Sequence, residues 1–83
     1  PNDPSGTDAI SRYFERIHRA FEFALKDAVR SGEVRSSLDT TAEAHFLAAS
    51  VLGIFVMLRA AAPARAVAAA ASAANDHVES LRA

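Results

Sequence analysis

The sequence has no cysteine and no tryptophan, only three glycines and three prolines, and a formal charge of −1 over 83 residues. Without cysteine there is no disulfide, no thiolate metal site and no cysteine nucleophile. The absence leaves the compartment open, since disulfide-free proteins occur everywhere. Nine basic against ten acidic side chains exclude a general pull of the whole chain towards nucleic acid or anionic lipid. Scarce glycine and proline confine chain breaks to a few places. No stretch has the alternation of a strand, and there is no internal repeat. Pro1–Asp8 carries no basic, apolar leader, and a start at Pro1 rather than methionine is what a processed product or a fragment would have. One domain is the ceiling at this length, and a domain this small buries only about 60% of the surface its unfolded chain exposes.

What is present is alanine, twenty residues of it, with arginine exceeding lysine eight to one. Both point to a GC-rich bacterial genome. The spacing predicts an all-α fold of three antiparallel helices. PNDPSGTD holds two prolines and a glycine and is expected to be an irregular lead-in, with Thr7 or Asp8 capping the first helix. Ile10, Phe14, Ile17, Phe21, Ala24, Leu25 and Ala28 follow at helical spacing, so that helix is expected over about 8–31, ended by Gly32. Thr40-Thr41-Ala42-Glu43 matches a capping box and opens a second helix over about 41–61. It stops before Pro63, because the residue before a proline avoids the helical region. Pro63 suits the first turn of a third helix over about 64–81.

The second helix contains FLAASVLGIFVML (46–58), which has no charge. A bilayer crossing needs about 20 mainly apolar residues, and Glu43, His45 and Arg59 interrupt the run on both sides, so no membrane span is expected. On a helical wheel Leu47, Val51, Phe55 and Leu58 share a bulky face suited to a core. Ala42, Phe46, Ala49, Gly53, Val56 and Ala60 share the opposite face, which is small enough for another helix to approach closely. A helix apolar all round must be covered all round, and two companion helices cannot do that. The third helix repeats the pattern with Val67, Ala70, Ala71, Ala74, Val78 and Leu81. The expectation is a homodimer in which the last two helices pair with a symmetry mate as a four-helix bundle. Its interface would use these residues, excepting Ala42, with Ser50, Met57 and His77 at its borders. The alternative is that another part of the same polypeptide covers this surface.

GEVRSSLDTTAEAHFLAASVLGIFVMLRA (32–60) resembles the C-terminal region of TetR-family transcriptional regulators. It shares a helix ending in Gly-Glu, a short loop to Asp39, and an Ala-rich apolar helix with a Gly-apolar step at Gly53-Ile54. The preceding YFERIHRAFEFALKDAVRSGE (13–33) is similar to the helix before it in that family. The resemblance implies a cytoplasmic regulator, a repressor, whose N-terminal helix-turn-helix binds operator DNA. Its C-terminal helices bind a small effector and dimerise. Nothing in these residues corresponds to the helix-turn-helix or to the first helices of the ligand domain, so operator DNA would be reached only through a domain outside this chain. The competing reading is a stand-alone helical bundle acting as an interaction or structural module.

No catalytic constellation, phosphate loop or metal motif is visible, and no cofactor is expected. His18, His45 and His77 lie on three different predicted helices, and no two are four residues apart. His18 is expected at the border of the first apolar stripe, half-exposed, and His77 at the border of the third. Arg12, Arg16, Arg19, Lys26 and Arg30 form a basic side of the first helix. Glu15→Arg19 and Glu22→Lys26 support it as a solvated face. Phe23 lies among them, away from the stripe. Apolar ligand sites combine aromatic walls with few polar anchors. Together with the family resemblance, this makes Tyr13, Phe14, Ile17, His18 and Phe21 the candidate wall for a small apolar effector.

Overall fold

The computed structural model describes residues 4–83. Three helices account for most of them: α1 (Pro4–Ser31), α2 (Thr40–Arg59) and α3 (Ala64–Glu79). The fold is all-α, as the apolar spacing requires. α1 begins at Pro4 rather than near Asp8. Proline is pre-set for a first helical turn, so it extends the helix through the expected lead-in, and Asp8 pairs with Arg12 at 3.9 Å instead of capping. The rest of that lead-in, 1–3, lies outside the described residues.

The helix ends follow local chemistry. At the end of α1, Gly32 adopts φ 81°. Its N–H reaches the Val29 carbonyl at 3.1 Å, and the Glu33 N–H reaches Ala28 at 2.9 Å. This pair of bonds closes a helix on a left-handed residue. α2 ends in the same way, with the Ala61 N–H on Leu58 at 3.1 Å and the Ala62 N–H on Met57 at 2.9 Å. Here the left-handed position is held by an alanine, at φ 56°. α2 therefore stops two residues before the expected boundary, and Pro63 caps α3 rather than entering it. At the start of α2 the expected capping box does not form. Asp39 is the cap, its side chain accepting from the Ala42 N–H at 3.1 Å, and Glu43 turns instead to His77 on α3.

α2 lies between α1 and α3, whose backbones do not come close to each other among the described residues. The Cα trace measures 47 × 33 × 13 Å, a layer one helix thick. The core sits at one end. Leu25, Ala44, Leu47 and Leu81 form it, with Phe21, Val34 and Leu38 packed around. The residues after α3 hold that end shut: the Arg35 N–H bonds Leu81 and the Ala83 N–H bonds Glu33, and the Arg35 guanidinium reaches the Ser80 carbonyl at 3.4 Å. Leu81 is 1% exposed and therefore belongs to this core, not to a free face as its wheel position suggested. Burying it inside the chain is favoured because the 33–35 backbone pulls the tail across Ala44 and Leu47. α3 accordingly ends at Glu79, short of the expected residue 81.

Towards the other end the layer opens. Leu47 is buried and Val51 half-buried, but Phe55 is 44% and Leu58 56% exposed. The bulky face of α2 is thus inward only for its first half. Ala44 and Ala48, beside it on the same half of the helix, are fully buried. α2 has the length and composition of a membrane-crossing helix, but α1 and α3 flank it on two sides.

Candidate functional site

The layer has two broad faces. One carries an open groove of about 460 Å³ lined by Tyr13, Ile17, Ala20, Phe21, Ala24 and Val51. The α1 residues recur at three- and four-residue steps, so one stripe of that helix forms the floor. Tyr13 meets Phe55 with ring centroids 6.2 Å apart, which extends the aromatic wall to the open end. Of the five residues expected to contact an effector, Tyr13, Ile17 and Phe21 line this groove. Phe14 and His18 do not; they turn into the α1–α2 seam against His45. Ala20, Ala24 and Val51 were missed. Their spacing from Tyr13 and Ile17 carried the signal for the two alanines, but their small size hid it.

The seam behind the groove is polar. His18 is 7% exposed rather than half-exposed, because α2 passes directly over it. Its ring stacks on His45 at 3.8 Å. Neither of its nitrogens has a hydrogen-bond partner, and Nε2 lies 3.7 Å from a Glu22 carboxylate oxygen. Glu22 accepts from the Thr41 hydroxyl at 2.6 Å and sits 3.5 Å from Lys26 Nζ. The Thr41 hydroxyl holds the Glu22 carboxyl below its ordinary value, aided by Lys26 and against the effect of burial.

The opposite face is built of small residues on α2. Ala49, Gly53, Val56 and Ala60 are exposed there, Val56 by 62%, and Phe46 lies at their edge. A Cβ added to Gly53 would meet nothing within 4 Å. Ser50, Met57, Val67, Ala70, Ala74 and His77 are half-buried because the α2–α3 contact within the chain already occupies them. That contact is loose: Ser50, Gly53, Ile54, Met57 and Ala70 surround a hollow of about 350 Å³. It is tied at one end by His77 Nε2 and Glu43 at 2.7 Å, with the Phe46 ring 4.7 Å from the imidazole. Val78 faces Ala28 and Val34 around a separate hollow of about 170 Å³, and Ala71 precedes it on the same stripe of α3. These two therefore stand apart from Ala49 and Gly53.

The basic side of α1 is a solvated face. Arg19 pairs with Glu15 at 3.9 Å and Arg30 with Asp27 at 3.0 Å, all exposed, and Phe23 is exposed among them. Among the described residues no three histidines or carboxylates are grouped closely enough to hold a metal ion.

A family model described as BetI-type transcriptional repressor, C-terminal, matches residues 1–83. No curated protein matches the chain, and no solved structure does. The match spans every residue of a three-helix layer that has the loop, the Ala-rich α2 and the α1 of the resemblance noted above, and the chain belongs to the family of C-terminal domains of BetI-type, TetR-family transcriptional repressors.

Proposed function

We propose that this chain is the dimerisation and effector-binding part of a cytoplasmic TetR-like repressor, with operator DNA read by a helix-turn-helix outside these 83 residues. The observation that carries the reading is the layer itself: one helix thick, apolar on both broad faces, and, among the described residues, with a closed core at one end only. Two unlike faces serve two unlike roles. Small side chains at Ala49, Gly53, Val56 and Ala60 suit close approach of a symmetry mate's helices. The groove of Tyr13, Ile17 and Phe21 suits the wall of a pocket for a small apolar effector. Binding there would repack α1 on α2 and so change the spacing of two DNA-reading heads. The residues carry regulation rather than catalysis.

Gly53→Leu tests the seam. The open space around Gly53 lets the chain itself accept the side chain, so the fold persists while a close helix–helix approach is blocked. Sedimentation should show the dimer shifting to monomer; an unchanged mass would sink the assignment. For the groove, an apolar dye should bind the wild type and bind Phe21→Ala about tenfold more weakly, a loss of about 1.4 kcal/mol. Equal binding by the variant would remove α1 from the pocket.

A further inference from the structure

The outward edge of α1 belongs to neither broad face. Arg12, Arg16, Arg19, Phe23, Lys26 and Arg30 recur there at alternating steps of four and three residues, so they form one row along the helix. All six are exposed. We propose that this row is a docking strip for an acidic helical segment of a partner protein, with Phe23 as its apolar anchor. The inference rests on α1 alone and is independent of the effector and dimer assignments.

Length and spacing fit a helix as the occupant. Residues 12 to 30 cover about 27 Å of α1, and alternating three- and four-residue steps make the row along which a second helix lies. The chemistry fits an acidic one. Arg12, Arg16 and Arg19 surround, with Glu15, an open hollow of about 280 Å³. A guanidinium presents its donors in a fixed fork that matches a carboxylate. Among the described residues Arg16 has no carboxylate within ion-pair distance. The ties of Arg12 to Asp8 and of Arg19 to Glu15 are both 3.9 Å long. Exposed pairs of this kind hold little energy, so these cations change partners at small cost. Phe23 stands one turn beyond Arg19 and is 73% exposed, and covering its ring removes a large apolar surface from water.

The same row disfavours a phosphate backbone or an anionic bilayer. Glu15, Glu22 and Asp27 lie 3.9, 3.5 and 3.0 Å from Arg19, Lys26 and Arg30. All three carboxylates would face an unbroken array of like charge, which costs binding energy. A duplex backbone also offers Phe23 no apolar contact. A helical segment meets both conditions. Its carboxylates stand opposite the cations, its neutral side chains opposite Glu15, Glu22 and Asp27, and one apolar side chain covers the ring. The partner is therefore a helix with carboxylates every three or four residues on one side, interrupted by a central apolar residue.

The experiment titrates the intact protein against a fluorescent helical peptide of about 20 residues, long enough to cover the row. The peptide carries glutamate at its seam positions and one central leucine, and anisotropy at low salt reads its binding. The proteins are wild type, Phe23→Ala, Arg16→Glu and Arg65→Glu, the last making the same charge change at an exposed site on α3. Wild type should bind, Phe23→Ala and Arg16→Glu should each bind about tenfold more weakly, and Arg65→Glu should stay within about twofold. Unfolding midpoints should not move, because all three side chains are exposed. No binding by wild type, an unchanged affinity in Phe23→Ala, or equal losses in Arg16→Glu and Arg65→Glu overturns the proposal. So does an anionic phospholipid vesicle or a random DNA duplex that loses more affinity than the peptide on Arg16→Glu, since the row would then serve lipid or nucleic acid.

Discussion

The two ends of this layer are made from the same kinds of residue and are packed differently. At the closed end, Leu25, Ala44, Leu47 and Leu81 shut out water under a backbone clasp between 33–35 and 81–83. At the open end, Ile10, Tyr13, Phe55, Val56 and Leu58 are as apolar, and all are exposed. Hydropathy does not separate the two ends. The difference is the third element: at the closed end the tail after α3 crosses to the α1–α2 loop, and at the open end no segment among the described residues crosses. A layer one helix thick can bury a side chain only where a further segment covers it.

The largest effect should come from breaking the closed end. Leu81→Ala should cost about 2–5 kcal/mol, because it empties a fully buried site that two neighbouring backbones hold open; denaturant unfolding measures it. Leu58→Ala, at the open end, should cost less than about 1 kcal/mol in a form of the protein that leaves that end uncovered. A Leu58→Ala cost equal to that of Leu81→Ala would show the open end covered in solution and would remove the contrast.

A smaller pair of changes compares the two helix ends. Gly32 and Ala61 hold equivalent left-handed positions, at φ 81° and 56°. Gly32→Ala should lose about 1 kcal/mol, since a Cβ is unfavourable in that conformation. Ala61→Gly should gain less, about 0.5 kcal/mol, because relief of the same strain is offset by glycine's greater freedom in the unfolded chain. Unfolding midpoints should move in opposite directions, and a shift of the same sign for both would break the equivalence.

Much of the fold was legible because its signals are local. The stripe of α1, the glycine after Ser31 and the proline at 63 act within a few residues of themselves, so the helices fall close to their expected bounds. The start of α1 is not legible from its prolines alone, because Pro4 signals a break in the sequence and yet proline also opens helices. The capping box was missed because Glu43 has a better partner, His77, thirty-four positions away, which local pattern cannot reveal. The candidate site was half legible for the same reason. Tyr13, Ile17 and Phe21 point into the groove. Phe14 and His18 differ from them by one step around the same helix, and only the position of α2 decides which side each one serves.

The amino-acid sequence by itself determined that this chain is helical, where its helices break, that α2 is apolar on more sides than the chain can cover, and the family pattern it carries. Each of these follows from periodicity, caps and residue size, which act over one or two turns. The tertiary structure alone decided that Leu81 is core, that Phe55 and Leu58 are not, that His18 is buried without a partner beside Glu22, and that Glu43 ties α3 rather than capping α2. Those outcomes depend on which segments cross, and burial is a property of the covering segment as much as of the residue it covers.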